Sequence, residues 1–228
     1  MNRSPKLLIL ILLSMSVLII YNETSNKKYN ILNIGDSISL WTNSYGIKDY
    51  SYIDYYKDYL KRNKYNVVVN NNYSNKELSI KELLKEIKTS PYIKRDLTEA
   101  HSLILQIGYN DLLYKLSIDD NINTNKLNRI IQEINNDYND LIKEITKYYK
   151  RQIIAVGLYK SNKDDYYINL GIKKLNNTLS SNKNISYIDT YLLLNNMKEF
   201  FNNPNSHYPN KEAYQLIANE IIEKTLEK

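Results

Sequence analysis

Five short and almost uninterrupted apolar runs recur along this chain, each followed by a segment with helical spacing, and that alternation constrains the fold most. The runs are Tyr29–Ile34, Asn66–Val69, Ser102–Ile107, Gln152–Leu158 and Ile185–Ile188. Continuous apolar runs of this length are what strands covered on both faces require. Between them, Ile53, Tyr56, Tyr59 and Leu60 mark one face of a first helix, and Leu78–Ile87 form a second. The longest helix runs from about Lys126 to Tyr149, with Leu127, Ile130, Ile134, Tyr138, Leu141 and Ile145 at three- and four-residue steps. Two more cover Tyr167–Leu179 and Lys211–Leu226. Right-handed crossovers between such elements predict an α/β fold: a parallel five-stranded sheet sandwiched by helices in three layers. With no internal repeat and no Pro-rich linker, residues 29–228 are expected to form one domain.

The first 20 residues obey a different rule. Arg3 and Lys6 precede an apolar run from Leu7 to Ile20 that only Ser14 and Ser16 interrupt. A basic start and a short apolar core are the marks of an export signal. The run falls short of the roughly 20 residues of a comfortable membrane span, although Tyr21 extends it at the interface. No small-x-small cleavage site follows, so the expectation is a retained signal-anchor, residues 1–20, with the body outside. Residues 21–28 read as a polar tether. The chain has no Cys, which excludes disulfides, thiolate chemistry and a lipid-modified N-terminal Cys.

The 23 tyrosines against two Phe and one Trp are read as coding bias rather than a special surface. The net charge of +6 is spread along the chain, often beside Asp or Glu. No basic run interleaves with aromatics, so nucleic acid is not an expected partner. A mild attraction to anionic lipid or wall polymer is compatible with it.

In open parallel sheets, ligands bind at the carboxyl ends of the strands, where strand order reverses. Two of the five glycines fall there: Gly35-Asp36-Ser37 after the first strand and Gly108-Tyr109-Asn110-Asp111 after the third. If those strands are neighbours, Ser37 and Asn110 face one another. A Ser hydroxyl needs a base and a cradle for the oxyanion it creates, and a neutral Asn amide suits that cradle. The plain alternative is that Ser37 and Asn110 only cap helices.

On these residues the chain resembles the SGNH, or GDSL, hydrolase family. Ile34-Gly35-Asp36-Ser37 looks like its nucleophile block, and Ile107-Gly108-Tyr109-Asn110-Asp111 looks like its G-x-N-D block. Val156-Gly157-Leu158-Tyr159 and Tyr187-Ile188-Asp189 resemble its fourth and fifth strands. The resemblance covers the domain from Tyr29 onward and implies a flavodoxin-like sandwich. It also implies a serine hydrolase in which Ser37 attacks an ester carbonyl. Asn110 and the Ser37 backbone N–H would hold the oxyanion, while Asp36, Gly108 and Asp111 shape the loops.

Two stretches depart from the family pattern. Its second block supplies a Gly, where this chain reads Asn72-Tyr73-Ser74-Asn75-Lys76-Glu77-Leu78; a backbone N–H of Asn75 or Glu77 would have to stand in. Its closing D-x-x-H is replaced by Pro204-Asn205-Ser206-His207-Tyr208-Pro209-Asn210. His207 is the expected base, with a backbone carbonyl or Asn205 orienting it. His101 is read as structural or merely exposed, and Trp41 and Tyr109 as core packing. Neither G-x-S-x-G, a phosphate loop nor G-x-G-x-x-G is present, and two separated histidines offer no zinc cluster. No cofactor and no metal are expected. The expected activity is hydrolysis of acyl esters on lipid or O-acetylated glycan. The alternative is a catalytically impaired, membrane-anchored binding or assembly protein on the same scaffold.

Overall fold

A computed structural model describes residues 27–40, 47, 49–118, 121–160, 165–201 and 208–226, with backbone alone at 37, 38, 197 and 198. Segment 1–20 lies outside the described residues. Five strands form one sheet: β1 (Lys27–Gly35), β2 (Tyr65–Asn70), β3 (Ser102–Gln106), β4 (Ile153–Val156) and β5 (Ile185–Ile188). Their spatial order is β2-β1-β3-β4-β5 and every pair is parallel, the doubly wound order of flavodoxin-like sheets. All five residues of β3 are buried, as a central strand covered on both faces requires. The edge strand β2 instead alternates between half-buried and exposed residues along most of its length.

After β1 comes a 3-10 turn, Ser37–Leu40, and then α1 (Tyr52–Arg62). Two helices, α2 (Ile80–Thr89) and α3 (Pro91–Glu99), lead from β2 to β3. Next come α4 (Tyr109–Ser117) and α5 (Thr124–Tyr148), then α6 (Tyr166–Ser180) after β4. The short α7 (Thr190–Leu193) and α8 (Met197–Phe200) precede the last helix, α9 (Lys211–Leu226). Helix α1 packs on α9, and α5 packs on α2, α3 and α6, so helices cover both sides of the sheet.

The boundaries differ from expectation for local reasons. Strand β1 starts inside the expected tether, because Lys27 and Lys28 pair with Tyr65 and Asn66. Helix α2 starts at Ile80 rather than Leu78, since Ser79 and Glu82 close a reciprocal capping box. The unexpected α3 restarts the chain at Pro91, which suits a first helical position and stops α2 at the same time. The switch point falls between β1 and β3, where Gly35 is in register with Gln106.

Candidate active site

The two strands end side by side, and their following turns are held by contacts that need the residues found there. Asp36 N–H donates to Gln106 O at 3.0 Å. A Cβ on Gly35 would lie 2.3 Å from that same carbonyl oxygen, so only glycine allows the strands to come so close. The Asp36 carbonyl accepts from both the N–H (3.1 Å) and the hydroxyl (2.8 Å) of Ser39, which closes the turn. Asn33 Nδ2 donates to Ser39 O at 3.3 Å. Ser37 opens this turn, two residues beyond Gly35.

Gly108 precedes α4 with φ +112°, a left-handed conformation that strains any side-chain-bearing residue. Beside it, Tyr138 donates its hydroxyl to Ile107 O at 2.6 Å. Asn110 follows in the first turn of α4. Its Nδ2 donates to Lys76 O at 2.9 Å and Leu78 O at 3.2 Å, which engages both amide protons with the β2–α2 loop. The neighbouring Asp111 carboxylate accepts from the N–H of Ile80, the first residue of α2 (3.2 and 3.3 Å). Burial pushes the Asp111 carboxyl upward, and the Ile80 N–H partly opposes the shift.

The β2–α2 loop also reaches β1. Ser74 bridges to Gly35, its hydroxyl donates to Asn33 O at 3.1 Å, and Asn75 N–H donates to Gly35 O at 3.2 Å. Glu77 N–H donates to Asn75 Oδ1 at 2.9 Å. Both N–H groups expected to replace the family's glycine are therefore engaged. The Lys76 N–H between them has no acceptor among the described residues.

The fourth loop enters through Tyr159, which follows β4 and is buried. Burial pushes the pKa of its hydroxyl upward, and Tyr214, Tyr109, Asp36 and Tyr208 push it further in the same direction. Phe201 packs on the Tyr159 ring at 5.3 Å between centroids. His207 and Asn205 lie outside the described residues, as does Trp41. Phe201, immediately before that stretch, is thus held against Tyr159. Asn210 then fixes the start of α9: its N–H donates to Phe200 O (2.8 Å), its Nδ2 to Glu199 O (2.6 Å), and its Oδ1 accepts from Ala213 N–H (3.0 Å).

His101 lies at the other end of the sheet, where its Nδ1 accepts the Asn30 N–H at 3.0 Å. It takes a structural role there. Among the described residues no group of three His, Cys, Asp or Glu could hold a metal, and no helix is long and apolar enough to cross a membrane. The sequence reading passed over Tyr138, Ser39, Asn33 and the carbonyls of the β2–α2 loop. Tyr138 was visible only as one more apolar step on a long helix, and backbone carbonyls leave no trace in residue types.

A family model, GDSL-like Lipase/Acylhydrolase, matches residues 31–221. Among curated proteins, none matches the chain significantly. A lipase from a goat rumen metagenome superposes with a TM-score of 0.71 at 18% identity, covering 86% of this chain and 97% of that one. The acetylxylan esterase of Geobacillus stearothermophilus gives 0.62 at 15% identity, with 88% and 95% covered. A lipase/acylhydrolase from Enterococcus faecalis gives 0.59 at 18% identity, with 86% and 94% covered. At these identities the likeness is one of fold.

Proposed function

The chain belongs to the GDSL-like lipase/acylhydrolase family, and from that premise we propose that it is an extracytoplasmic serine esterase acting through a Ser37 acyl-enzyme. One observation carries the reading: Gly35 and Gln106 are in register, so the turns bearing Ser37 and Asn110 leave the sheet side by side. In the proposed reaction His207 takes the Ser37 proton as the hydroxyl attacks an acyl carbonyl. The oxyanion is held by the Ser37 N–H and, when a contact to the β2–α2 loop is released, by Asn110. His207 then protonates the departing alcohol, and water completes the cycle. Phe201 packs on Tyr159 and Asn210 N–H donates to Phe200 O, which holds the two flanks of residues 202–207 together beside the end of β4 and supports His207 as base. The substrate is an acyl ester of lipid or glycan, and residues 1–20 anchor the domain to the membrane.

A fluorophosphonate probe tests this directly. Wild-type protein is expected to be labelled and Ser37→Ala is not; equal labelling of both would sink the assignment.

A second reading is favoured by the Asn110 contacts. With both amide protons given to Lys76 and Leu78, and no Asp three residues before His207, the same fold serves as an anchored binding or assembly scaffold. It predicts no labelling of wild type and unchanged cellular function in Ser37→Ala.

A further inference from the structure

The charge that the sequence scatters is gathered by the fold at one edge of the sheet. In an all-parallel sheet every strand starts at the same edge, so segments far apart in sequence enter it as neighbours. Lys27 and Lys28 open β1, and Lys61, Arg62 and Lys64 lead into β2; all are exposed. Lys150 and Arg151 lead into β4 and Lys183 into β5, exposed as well. Against them stand Glu99, before β3, and Glu223, near the end of α9. At the opposite edge Asp36, Asp111 and Asp189 follow β1, β3 and β5, alongside Lys76 and Lys160. An open cavity of about 340 Å³ lies amid the basic edge, lined by Tyr29, Tyr59, Tyr65, His101 and Arg151, with exposed Leu226 at its rim.

We propose that this basic, tyrosine-ringed edge docks on the headgroup layer of an anionic phospholipid bilayer, so that the Ser37 edge points away from the membrane. The inference rests on the anchored reading above. Tyr suits the membrane–water interface, and each Lys or Arg near an anionic leaflet raises partitioning roughly fivefold. Covalent geometry sets the distances in that orientation. From Ile20 to Lys27 the chain spans at most about 25 Å at full extension. The nine residues of β1 carry the backbone about 30 Å from Lys27 toward Ser37. With the basic edge seated on the bilayer and β1 upright, the Ser37 edge stands about 30 Å above the headgroups. This narrows the substrate to acyl esters held off the membrane, such as O-acylated glycan, rather than lipids of the same leaflet.

The absence of native Cys allows single labels on the full-length chain in proteoliposomes. An environment-sensitive fluorophore is placed at the basic edge (Asn63→Cys) or beyond α4 (Ile118→Cys), both exposed positions. Quenching by spin-labelled lipid is then read in phosphatidylcholine vesicles with and without phosphatidylglycerol. The expected result is several-fold stronger quenching at Asn63→Cys with phosphatidylglycerol, reversed by high salt and by K61E/R62E/K150E, with Ile118→Cys unquenched throughout. Equal quenching at the two positions, or no dependence on phosphatidylglycerol, would overturn the proposal. Protection of Asn63→Cys by a soluble polyanion but not by anionic vesicles would assign the edge to a polymer and overturn it as well. Retained circular dichroism of the charge-reversed variant shows that it is folded. The same labels on Ser37→Ala report orientation without catalysis, so failure of the esterase reading leaves this test intact.

Discussion

Asn110 Nδ2 lies 2.9 Å from the carbonyl oxygen of Lys76 and 3.2 Å from that of Leu78, so the amide expected to meet substrate also ties two loops together. Asn110→Ala is therefore expected to act twice. Losing an oxyanion donor lowers kcat by about 10²–10³, and orphaning the part-buried Leu78 carbonyl costs about 1–3 kcal/mol, while the exposed Lys76 carbonyl turns to water. Asn110→Asp sets a carboxylate against those carbonyls and is expected to be the less stable variant. Urea unfolding beside single-turnover acylation separates the effects; a change in stability alone would remove Asn110 from the chemistry.

Gly35→Ala and Gly108→Ala test the two turns. At Gly35 the new methyl meets the Gln106 backbone oxygen at 2.3 Å, and neither group can swing away. At Gly108 it meets the Tyr138 ring at 3.1 Å on a strained backbone, for which a cost of about 1–3 kcal/mol is expected. Denaturation midpoints should rank wild type above Gly108→Ala and Gly108→Ala above Gly35→Ala.

Tyr138→Phe removes the donor to Ile107 O, 2.6 Å away and buried, without changing the ring. Leaving that carbonyl unsatisfied is expected to cost about 1–3 kcal/mol. Because the carbonyl lies next to Gly108, acylation should slow more than the change in global stability accounts for. An unaltered acylation rate would confine Tyr138 to packing.

His101 supplies a pH test. Burial first, then the charges of Arg151 and Lys28, depress its pKa, and its neutral ring accepts the Asn30 N–H. A base depressed in the folded state binds fewer protons there than in the unfolded chain. Its stabilisation is present above the ordinary His value and is lost as pH falls through the depressed one. Wild type should lose thermal stability relative to His101→Gln as pH falls below about 6.5, since the Gln side-chain oxygen can accept the same N–H without titrating. Parallel profiles would show that the ring does not titrate in this way.

For His207 the expected outcome is kinetic. His207→Ala should lower acylation by about 10²–10⁴ and be partly rescued by added imidazole. An unchanged rate would place the base on another residue.

Strand identity and order of elements were legible because a strand buried on both faces must be largely apolar, and Ile31, Leu32, Ile34 and Leu103–Leu105 carry that demand in their residue types. The two glycine turns were legible for a related reason: a left-handed φ at Gly108 and a 2.3 Å approach at Gly35 leave few residues to choose from. Helix α3 was missed because Ser90-Pro91 ends one helix and starts another with the same residues. The engagement of Asn75 and Glu77 was missed because any non-proline residue can offer an N–H, and its acceptor is set by neighbours.

By itself the sequence determined what local chemistry and periodicity can encode: which segments are buried, where the backbone must bend, and which side chains have the means to react. Tertiary structure alone decided what meets what. It set Gly35 beside Gln106, gave both Asn110 protons to a loop more than thirty residues away, and collected cations from four chain segments at one edge of the sheet. Those pairings depend on the order in which parallel strands lie side by side, a property of the whole packed sheet that no single stretch of residues contains.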